Sequence, residues 1–194
     1  MLAYYTGQLE TLYERREATN IVWAIIEHFL GFNRLKLALL PDLRVSESEM
    51  LEVHFAVKEV LKGLPVQYVT GIAWFDGRDF LVSKDVLIPR PETEGLLTLA
   101  AGFLSHRPNA AVLDACTGSG CLAVSLKLRH PASNILATDI SEEALKIAAA
   151  NANKFGVQII FQQEDMLSNA FEEPDSLDLI VSNPPYVPFA ERPT

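Results

Sequence analysis

Residues 111–120 read AVLDACTGSG, an apolar run that passes directly into a glycine-rich turn. The residues that follow, 122–129, have apolar positions at the spacing of a helix. Where a strand leads through glycines into a helix, backbone N–H groups lie open at the helix start and a ligand can approach the backbone closely. The stretch therefore predicts the first strand–helix unit of a nucleoside-binding α/β domain.

The residues after this unit continue to alternate between strand and helix patterns. Ile135–Thr138, Ile159–Phe161 and Leu177–Val181 are apolar strand runs, and Ser141–Phe155 has a helical pattern that ends before Gly156. Nearly continuous apolar strands that alternate with helices predict a doubly wound parallel sheet with helices on both faces.

Asp139 stands 21 residues after Gly118, at the end of the second predicted strand. A carboxylate at this position can accept hydrogen bonds from both hydroxyls of a ribose. The loop lacks the Gly-Lys-Ser/Thr of a P-loop, and Cys116 and Val124 stand where a dinucleotide fingerprint has glycines. The sequence thus favours a nucleoside ligand without a pyrophosphate, with a plain strand–helix turn as the alternative.

A second candidate site follows the last strand, where residues 182–186 read SNPPY. The prolines restrict the backbone at the carboxyl end of the strand, the end at which such sheets bind ligands. The side-chain oxygen of Asn183 and the carbonyl of Pro184 can accept two hydrogen bonds from a planar NH2 group, and Tyr186 can stack on its plane. The alternative is a turn with no chemical role.

The first 62 residues have helical patterns and predict a small all-α bundle. Gly31 ends one helix and residues 46–49, SESE, have the spacing of a capping box that opens another. From Gln67 to Val82 the hydrophobic period changes to two, and Asp76-Gly77 predicts a β-hairpin turn.

The chain is accordingly divided into three parts. These are a helical domain at 1–65, a β-hairpin linker at 66–85 and the α/β domain at 86–194. The last of these is predicted to have a helix over 95–104, preceded by Pro91, a residue that suits a first helical turn.

Composition and charge exclude several classes of protein. The 194 residues carry a net charge of −9, which disfavours a broad phosphate-binding surface. Two cysteines are too few for a disulfide scaffold, and the four histidines are scattered, so we expect reduced thiols and no metal site. The N-terminus lacks the pattern of a signal peptide and no run approaches the roughly 20 apolar residues of a membrane span, so a cytoplasmic protein is expected.

The motifs together resemble a known family. Asn-Pro-Pro-Tyr, the Asp-x-x-x-Gly-x-Gly loop and Asp139 look like a class I S-adenosylmethionine-dependent methyltransferase that acts on an amide or amino nitrogen. Residues 65–71, PVQYVTG, and 88–94, IPRPETE, are similar to signature segments of the HemK/PrmC family, the N5-glutamine methyltransferases of peptide chain release factors.

This resemblance implies a Rossmann-like class I methyltransferase sheet, a helical release-factor-recognition domain and a hairpin linker. It implies methyl transfer from S-adenosylmethionine to the glutamine of the Gly-Gly-Gln motif of release factors. The implied catalytic residues are Asn183, Pro184 and Tyr186. The implied cofactor-binding residues are Cys116, Thr117, Gly118, Ser119, Gly120, Asp139, Asp165, Met166 and Asn183. The implied substrate-binding residues are Asn183 to Tyr186, together with Arg90 and Glu92.

Two departures from the family pattern lead to expectations about structure. Cys116 replaces a frequent glycine, which we expect to be tolerated if φ stays negative at this position. The family continues beyond residue 194, so we expect the C-terminal strands of the sheet to be missing and one sheet edge to be open.

Arg90, Glu92 and Thr93 have two interpretations: the charged side chains pair internally or they line the substrate channel.

Two rival functions stay open at this level. One is a nucleic-acid amino methyltransferase that modifies adenine N6 or guanine N2 of a flipped base. The residues from Val112 onward disfavour it, because they include only five basic but eleven acidic side chains and offer little charge for binding phosphates. The other is an inactive fragment that binds a partner through its helical domain.

Overall fold

A computed structural model describes residues 1–39, 44–168 and 177–185. The chain divides into two compact units, Met1–Gly71 and Ile72–Thr194. None of the helices in these described ranges has the length and apolar character that a membrane span requires.

The first unit is helical, as predicted. Its helices pack around a core that contains Leu9, Val22, Ile25 and Val57. They are α1 (Leu2–Leu9), α2 (Arg15–Leu30), α3 (Arg34–Leu39), α4 (Glu47–Leu61) and α5 (Val66–Thr70).

The helix-end signals of this unit are confirmed. Gly31 has a φ of 64° after α2, a left-handed conformation that glycine adopts without strain. Ser46 and Glu49 form the capping box, in which Ser46 Oγ accepts from Glu49 N–H and Glu49 Oε2 accepts from Ser46 N–H at 2.8 Å. Their reciprocal bonds satisfy two polar groups at the start of α4.

The sequence predicted extended, strand-like structure from Gln67 onward, and this prediction is wrong for the first residues of that stretch. Residues 66–70 form the short helix α5, which begins after Pro65 and ends at Gly71, where φ is 68°. Proline before the first turn and a left-handed glycine after the last one suit a single helical turn, so these end signals override the alternation.

The hairpin itself is confirmed. Strands β1 (Ile72–Phe75) and β2 (Arg78–Leu81) pair antiparallel, with Phe75 opposite Arg78. Asp76 and Gly77 both have positive φ, 50° and 74°, as a two-residue turn of this kind requires. The hairpin belongs to the second compact unit.

The remaining elements of the second unit alternate between helix and strand. They are α6 (Pro91–Leu104), β3 (Ala111–Ala115), α7 (Cys121–Arg129), β4 (Asn134–Asp139), α8 (Glu142–Phe155), β5 (Ile160–Gln163) and β6 (Leu179–Ser182). The four strands β3 to β6 pair in parallel in the order β5-β4-β3-β6. The strand order reverses at β3, and this Rossmann-like sheet therefore brings the carboxyl ends of β3, β4 and β6 together.

The prediction of helices on both faces holds for one face only among residues 72–168 and 177–185. Helices α6, α7 and α8 are neighbours and share one core with the sheet, which includes Leu97, Leu126 and Val112. On the opposite face the edge-strand residues Ile160 and Ile180 are 68% and 53% exposed, whereas Leu113 on β3, one of the two strands between them, is buried. The apolar strands led to a prediction of helices on both faces of the sheet. Side-chain periodicity shows that a residue is apolar, but it does not show on which face of the sheet each helix packs.

Candidate active site

The glycine-rich loop after β3 has three residues with positive φ: Cys116 at 60°, Gly118 at 55° and Gly120 at 76°. The negative φ that was the condition for tolerating Cys116 without strain is therefore not found. The residues on both sides of it are fixed: Ala115 C=O accepts from Ser182 Oγ (2.7 Å), and Thr117 N–H donates to Thr138 C=O (2.9 Å). Because these bonds hold the chain to β6 and β4, Cys116 adopts the left-handed region, which costs a residue with a Cβ about 1 kcal/mol.

Gly120 is the position where the loop meets α8. A Cβ at this position would lie 2.9 Å from Ala148 Cβ, closer than real contacts allow. Ser119, its neighbour, is buried and its carbonyl accepts from Asn151 Nδ2 at 2.8 Å. The loop is thus packed directly against the helix, and only glycine fits at residue 120.

Asp114 opens the Asp-x-x-x-Gly-x-Gly motif, but the sequence analysis gave it no binding role. It is 1% exposed, and its Oδ2 accepts from Thr117 Oγ1 (2.7 Å) and Ala123 N–H (3.1 Å). Its Oδ1 has no hydrogen-bond partner among the described residues. Burial raises the pKa of this carboxyl to about 7. An acidic residue inside an apolar strand was the sequence signal that could have identified it.

Asp139 lies against the glycine-rich loop. Its Oδ2 accepts from Gly118 N–H at 2.9 Å and its Oδ1 accepts from Ser141 N–H at 3.0 Å. A carboxylate oxygen accepts more than one hydrogen bond, so both oxygens keep the capacity to bind a ligand hydroxyl. These contacts fix the orientation of the half-buried side chain.

Asp165 and Met166 follow β5. Met166 Sδ accepts from Thr138 Oγ1 at 3.4 Å, and the exposed Asp165 accepts from Leu167 N–H at 3.0 Å.

The electrostatics of the site are acidic. Burial is the main cause of a raised pKa at the Cys116 thiol, and the charges of Asp139, Asp114 and Asp165 raise it further. Three carboxylates therefore act on one point of the loop, and the site favours a cationic ligand.

Asn183 lies directly after β6 and is half-buried. Its Nδ2 donates to Oγ1 of the buried Thr93 in α6, at 3.3 Å. Pro184 and Pro185 follow and are exposed, whereas Tyr186 lies outside the described residues. The internal pairing considered for Arg90 and Glu92 is not found within the described ranges, since both are exposed and neither forms an ion pair there.

One cavity lies between the glycine-rich loop after β3 and the segment that begins at Asn183. It is lined by Asp114 and Cys116 from the loop, by Leu87 and Pro89 from the segment before α6, and by Asn183 from the segment after β6. Asp139, Asp165, Met166, Arg90 and Glu92 do not line this cavity. In the part of the chain that the structure describes, no group of three or more His, Cys, Asp and Glu side chains could hold a metal.

Comparisons with known proteins match both units. The model of the PrmC N-terminal domain matches residues 1–71, and the model of the methyltransferase small domain matches residues 97–191. The release factor glutamine methyltransferase of Bacteroides thetaiotaomicron is 38% identical over 191 residues, which cover 98% of this chain and 68% of that protein. The protein of the same name from Chlorobaculum tepidum is 42% identical over 179 residues, with 88% of this chain and 61% of that protein covered.

Among solved structures, the tRNA (uracil-54, C5)-methyltransferase of Pyrococcus abyssi in complex with S-adenosyl-L-homocysteine aligns with a TM-score of 0.48. It is 19% identical, and the alignment covers 59% of this chain and 28% of that one. Compared with the curated release factor glutamine methyltransferases that it matches, the present chain spans between about half and about two thirds of their length.

Proposed function

The chain belongs to the family of release factor glutamine methyltransferases, and from this premise we propose that it methylates a release factor. The reaction is transfer of a methyl group from S-adenosylmethionine to the side-chain amide nitrogen, N5, of the glutamine in the Gly-Gly-Gln motif. The observation that carries the proposal is that one cavity is lined both by the buried carboxyl group of Asp114 and by Asn183.

The residues of the loop fit this cofactor. S-adenosylmethionine carries an ammonium and a sulfonium, and when bound it supplies an electrophilic methyl group. Oδ1 of Asp114, for which the described part of the chain offers no hydrogen-bond partner, is a buried acceptor that suits the ammonium, since a buried charge needs a partner. The acidic surroundings of Cys116 suit the sulfonium, and Asp139 has acceptor capacity for the ribose hydroxyls. Met166 and Asp165 are proposed to border the adenine.

The substrate amide is held by residues that follow β6. An amide nitrogen is a weak nucleophile because its lone pair is delocalised into the carbonyl. Asn183 Oδ1 and the Pro184 carbonyl accept hydrogen bonds from the two N–H groups and so favour charge that develops on the nitrogen. The same two bonds orient the nitrogen toward the cofactor side of the cavity. Pro185 and Tyr186 complete the proposed substrate contacts. The products are the N-methyl amide and S-adenosylhomocysteine, and the nitrogen loses its extra proton to solvent after transfer, so no dedicated base is required.

Contacts with the rest of the release factor are assigned to exposed parts of the chain. Arg90 and Glu92 are solvent-exposed beside the buried Thr93, so their charges are available to a protein partner. The helical unit Met1–Gly71 is proposed to recognise the release factor, as the helical domain of this family implies.

The net charge of −9 supports a protein substrate over nucleic acid, and translation termination as the process supports the cytoplasm as the location.

The test is methyl transfer from labelled S-adenosylmethionine to a release factor, with the same factor carrying Gln→Ala in its Gly-Gly-Gln motif as control. We expect label only on the glutamine-containing factor. Asn183→Ala should reduce the rate by roughly 100-fold or more, as loss of one transition-state hydrogen bond does. Asn153→Ala, an exposed asparagine in α8, is the matched control and should keep the full rate.

Three results would contradict the proposal. Label on added nucleic acid would favour the amino methyltransferase alternative. Cofactor binding with no transfer to any release factor would favour a partner-binding fragment. Full activity of Asn183→Ala would remove Asn183 from the mechanism.

A further inference from the structure

The hydrogen bond between Thr93 and Asn183 is not used by the proposed cofactor or substrate contacts. It joins the first turn of α6 to the end of β6, across 90 residues of sequence. Thr93 is 6% exposed and lines the same cavity as Asn183. Thr93 therefore places a buried hydroxyl at the wall of the candidate site. Because this hydroxyl bonds Asn183, its role is to be sought in the proposed contact between Asn183 and the substrate amide.

The position of Thr93 is fixed by its surroundings. Pro91 begins α6, and Thr93 N–H donates to Arg90 C=O at 3.0 Å in the first turn. The next residue, Glu94, accepts from Asp76 N–H at 3.0 Å, which ties the same turn to the tip of the hairpin. The Asp76 carboxylate in turn contacts Arg129. The start of α6 is therefore held on one side by the hairpin and reaches Asn183 on the other.

The chemistry of a primary amide makes this support important. The oxygen and the NH2 group of an asparagine have nearly the same shape, and a half-turn about the last side-chain bond exchanges them. A substrate NH2 group needs acceptors, so only the orientation with Oδ1 toward the substrate is productive. In the structure Thr93 Oγ1 accepts from Nδ2, and this bond holds the amide in the orientation that presents Oδ1 as the acceptor.

We propose that Thr93 is the positioning residue for Asn183, an inference that rests on the proposed function of Asn183 as the amide acceptor. Thr93 does not touch the reacting atoms. It acts through Asn183, by holding the Nδ2 group so that the Oδ1 atom faces the substrate glutamine. The threonine of the Pro-Arg-Pro-Glu-Thr-Glu motif thereby serves catalysis, while the glutamate that follows it serves the hairpin.

The first measurement is independent of activity. The side-chain NH2 signals of Asn183, assigned by their loss in Asn183→Asp, are followed by NMR hydrogen exchange on the whole chain. In the wild type we expect exchange roughly fivefold slower than at the exposed Asn153, the effect of one net hydrogen bond. Thr93→Val should abolish this protection and Thr93→Ser should retain it. Thr98→Val, the same change at an exposed threonine of α6 whose hydroxyl bonds its own helix, is the matched control.

The second measurement is the steady-state rate on the release factor. Thr93→Val should lower kcat roughly 10- to 100-fold, because misorientation of a positioning group costs that much. The KM for the release factor should stay within about twofold of the wild-type value, since docking depends on the remaining surface. Thr93→Ser should recover most of the lost rate. Thr93→Ala is a second variant without the hydroxyl, for use if valine is not tolerated.

Unprotected Asn183 protons in the wild type would overturn the inference, as would unchanged protection or unchanged kcat in Thr93→Val. Failure of the proposed function would give a different experimental result. If the wild type transferred no methyl group to the release factor, the function would fall, whereas the exchange data would still decide whether Thr93 holds Asn183.

Discussion

The two loops that line the cavity are supported in opposite ways. The loop at 114–120 is held from inside the fold, with bonds from Asp139, Asn151 and Thr138 to its backbone and a buried carboxylate at its base. The segment at 183–185 has one described side-chain bond, from Asn183 to Thr93, and two exposed prolines.

This difference separates the two binding tasks. A ligand that meets the first loop encounters a surface already fixed by the core, so little ordering is needed on binding. The second segment depends on an element that is distant in sequence, so its geometry can be altered without damage to the core. Substitutions in the first loop should therefore change stability, in either direction, and substitutions around the second segment should lower the reaction rate.

The largest expected effect is the pH dependence caused by Asp114. Its ordinary pKa is 3.8, and burial raises it to about 7 in the folded chain. Unfolded chains release this proton near pH 4 and folded chains only near 7, so stability should fall between these values by roughly 4 kcal/mol and then level off. Asp114→Asn should lose this dependence and exceed the wild type in stability at pH 8, while its affinity for S-adenosylmethionine falls.

Urea denaturation at pH 4.5 and pH 8, with calorimetric titration of the cofactor, measures both effects. Equal pH slopes in the two proteins would show that Asp114 is not the group responsible.

The next effect is expected at Gly120. Gly120→Ala combines a φ of 76° with a Cβ 2.9 Å from Ala148 Cβ, so it should cost about 3 kcal/mol and abolish cofactor binding. Gly118→Ala is the matched control, because its φ is 55° but its Cβ would meet nothing within 4 Å; it should cost about 1 kcal/mol. Denaturation midpoints check this, and equal losses would argue against close packing on α8.

A smaller loss is expected at Asn151. Its Oδ1 accepts from Leu81 N–H (2.7 Å), and its Nδ2 donates to Leu81 C=O (2.9 Å) and Ser119 C=O (2.8 Å). Asn151→Ala leaves these groups without their partner and should cost about 2 kcal/mol. Hydrogen exchange at the Leu81 amide should become faster, with Asn153→Ala as control. Unchanged exchange at Leu81 would mean that the hairpin is held by other contacts.

The smallest effect is expected at Cys116. Cys116→Gly removes the strain of a left-handed residue with a Cβ and should raise stability by at most about 1 kcal/mol. The NH2 protection of Asn183 should not change, because the second segment is supported separately. Thermal denaturation gives the answer. A loss of about 1 kcal/mol, as for glycine at an ordinary φ, would contradict the assigned strain.

Local signals in the sequence predicted the elements whose ends they encode. The capping box at Ser46, the Asp76-Gly77 turn and the glycine after α8 are all where the pattern indicated. Cys116 escaped prediction because its φ is imposed by bonds to β4 and β6, which no local pattern contains.

The same reason explains the roles that the sequence did not assign. Asp114 and Thr93 acquire theirs through burial and through partners far along the chain, and the helix α5 required weighing end signals against periodicity.

The contacts of Asn151 also determine when the hairpin and the glycine-rich loop can reach their final structure during synthesis. Its partners, Leu81 and Ser119, precede it by 70 and 32 residues, and a two-stranded hairpin alone is barely stable in water. During synthesis from the N-terminus, the hairpin and the glycine-rich loop both emerge before the helix that joins them. The ligand loop therefore reaches its final geometry only after residue 151 has left the ribosome and α8 has docked.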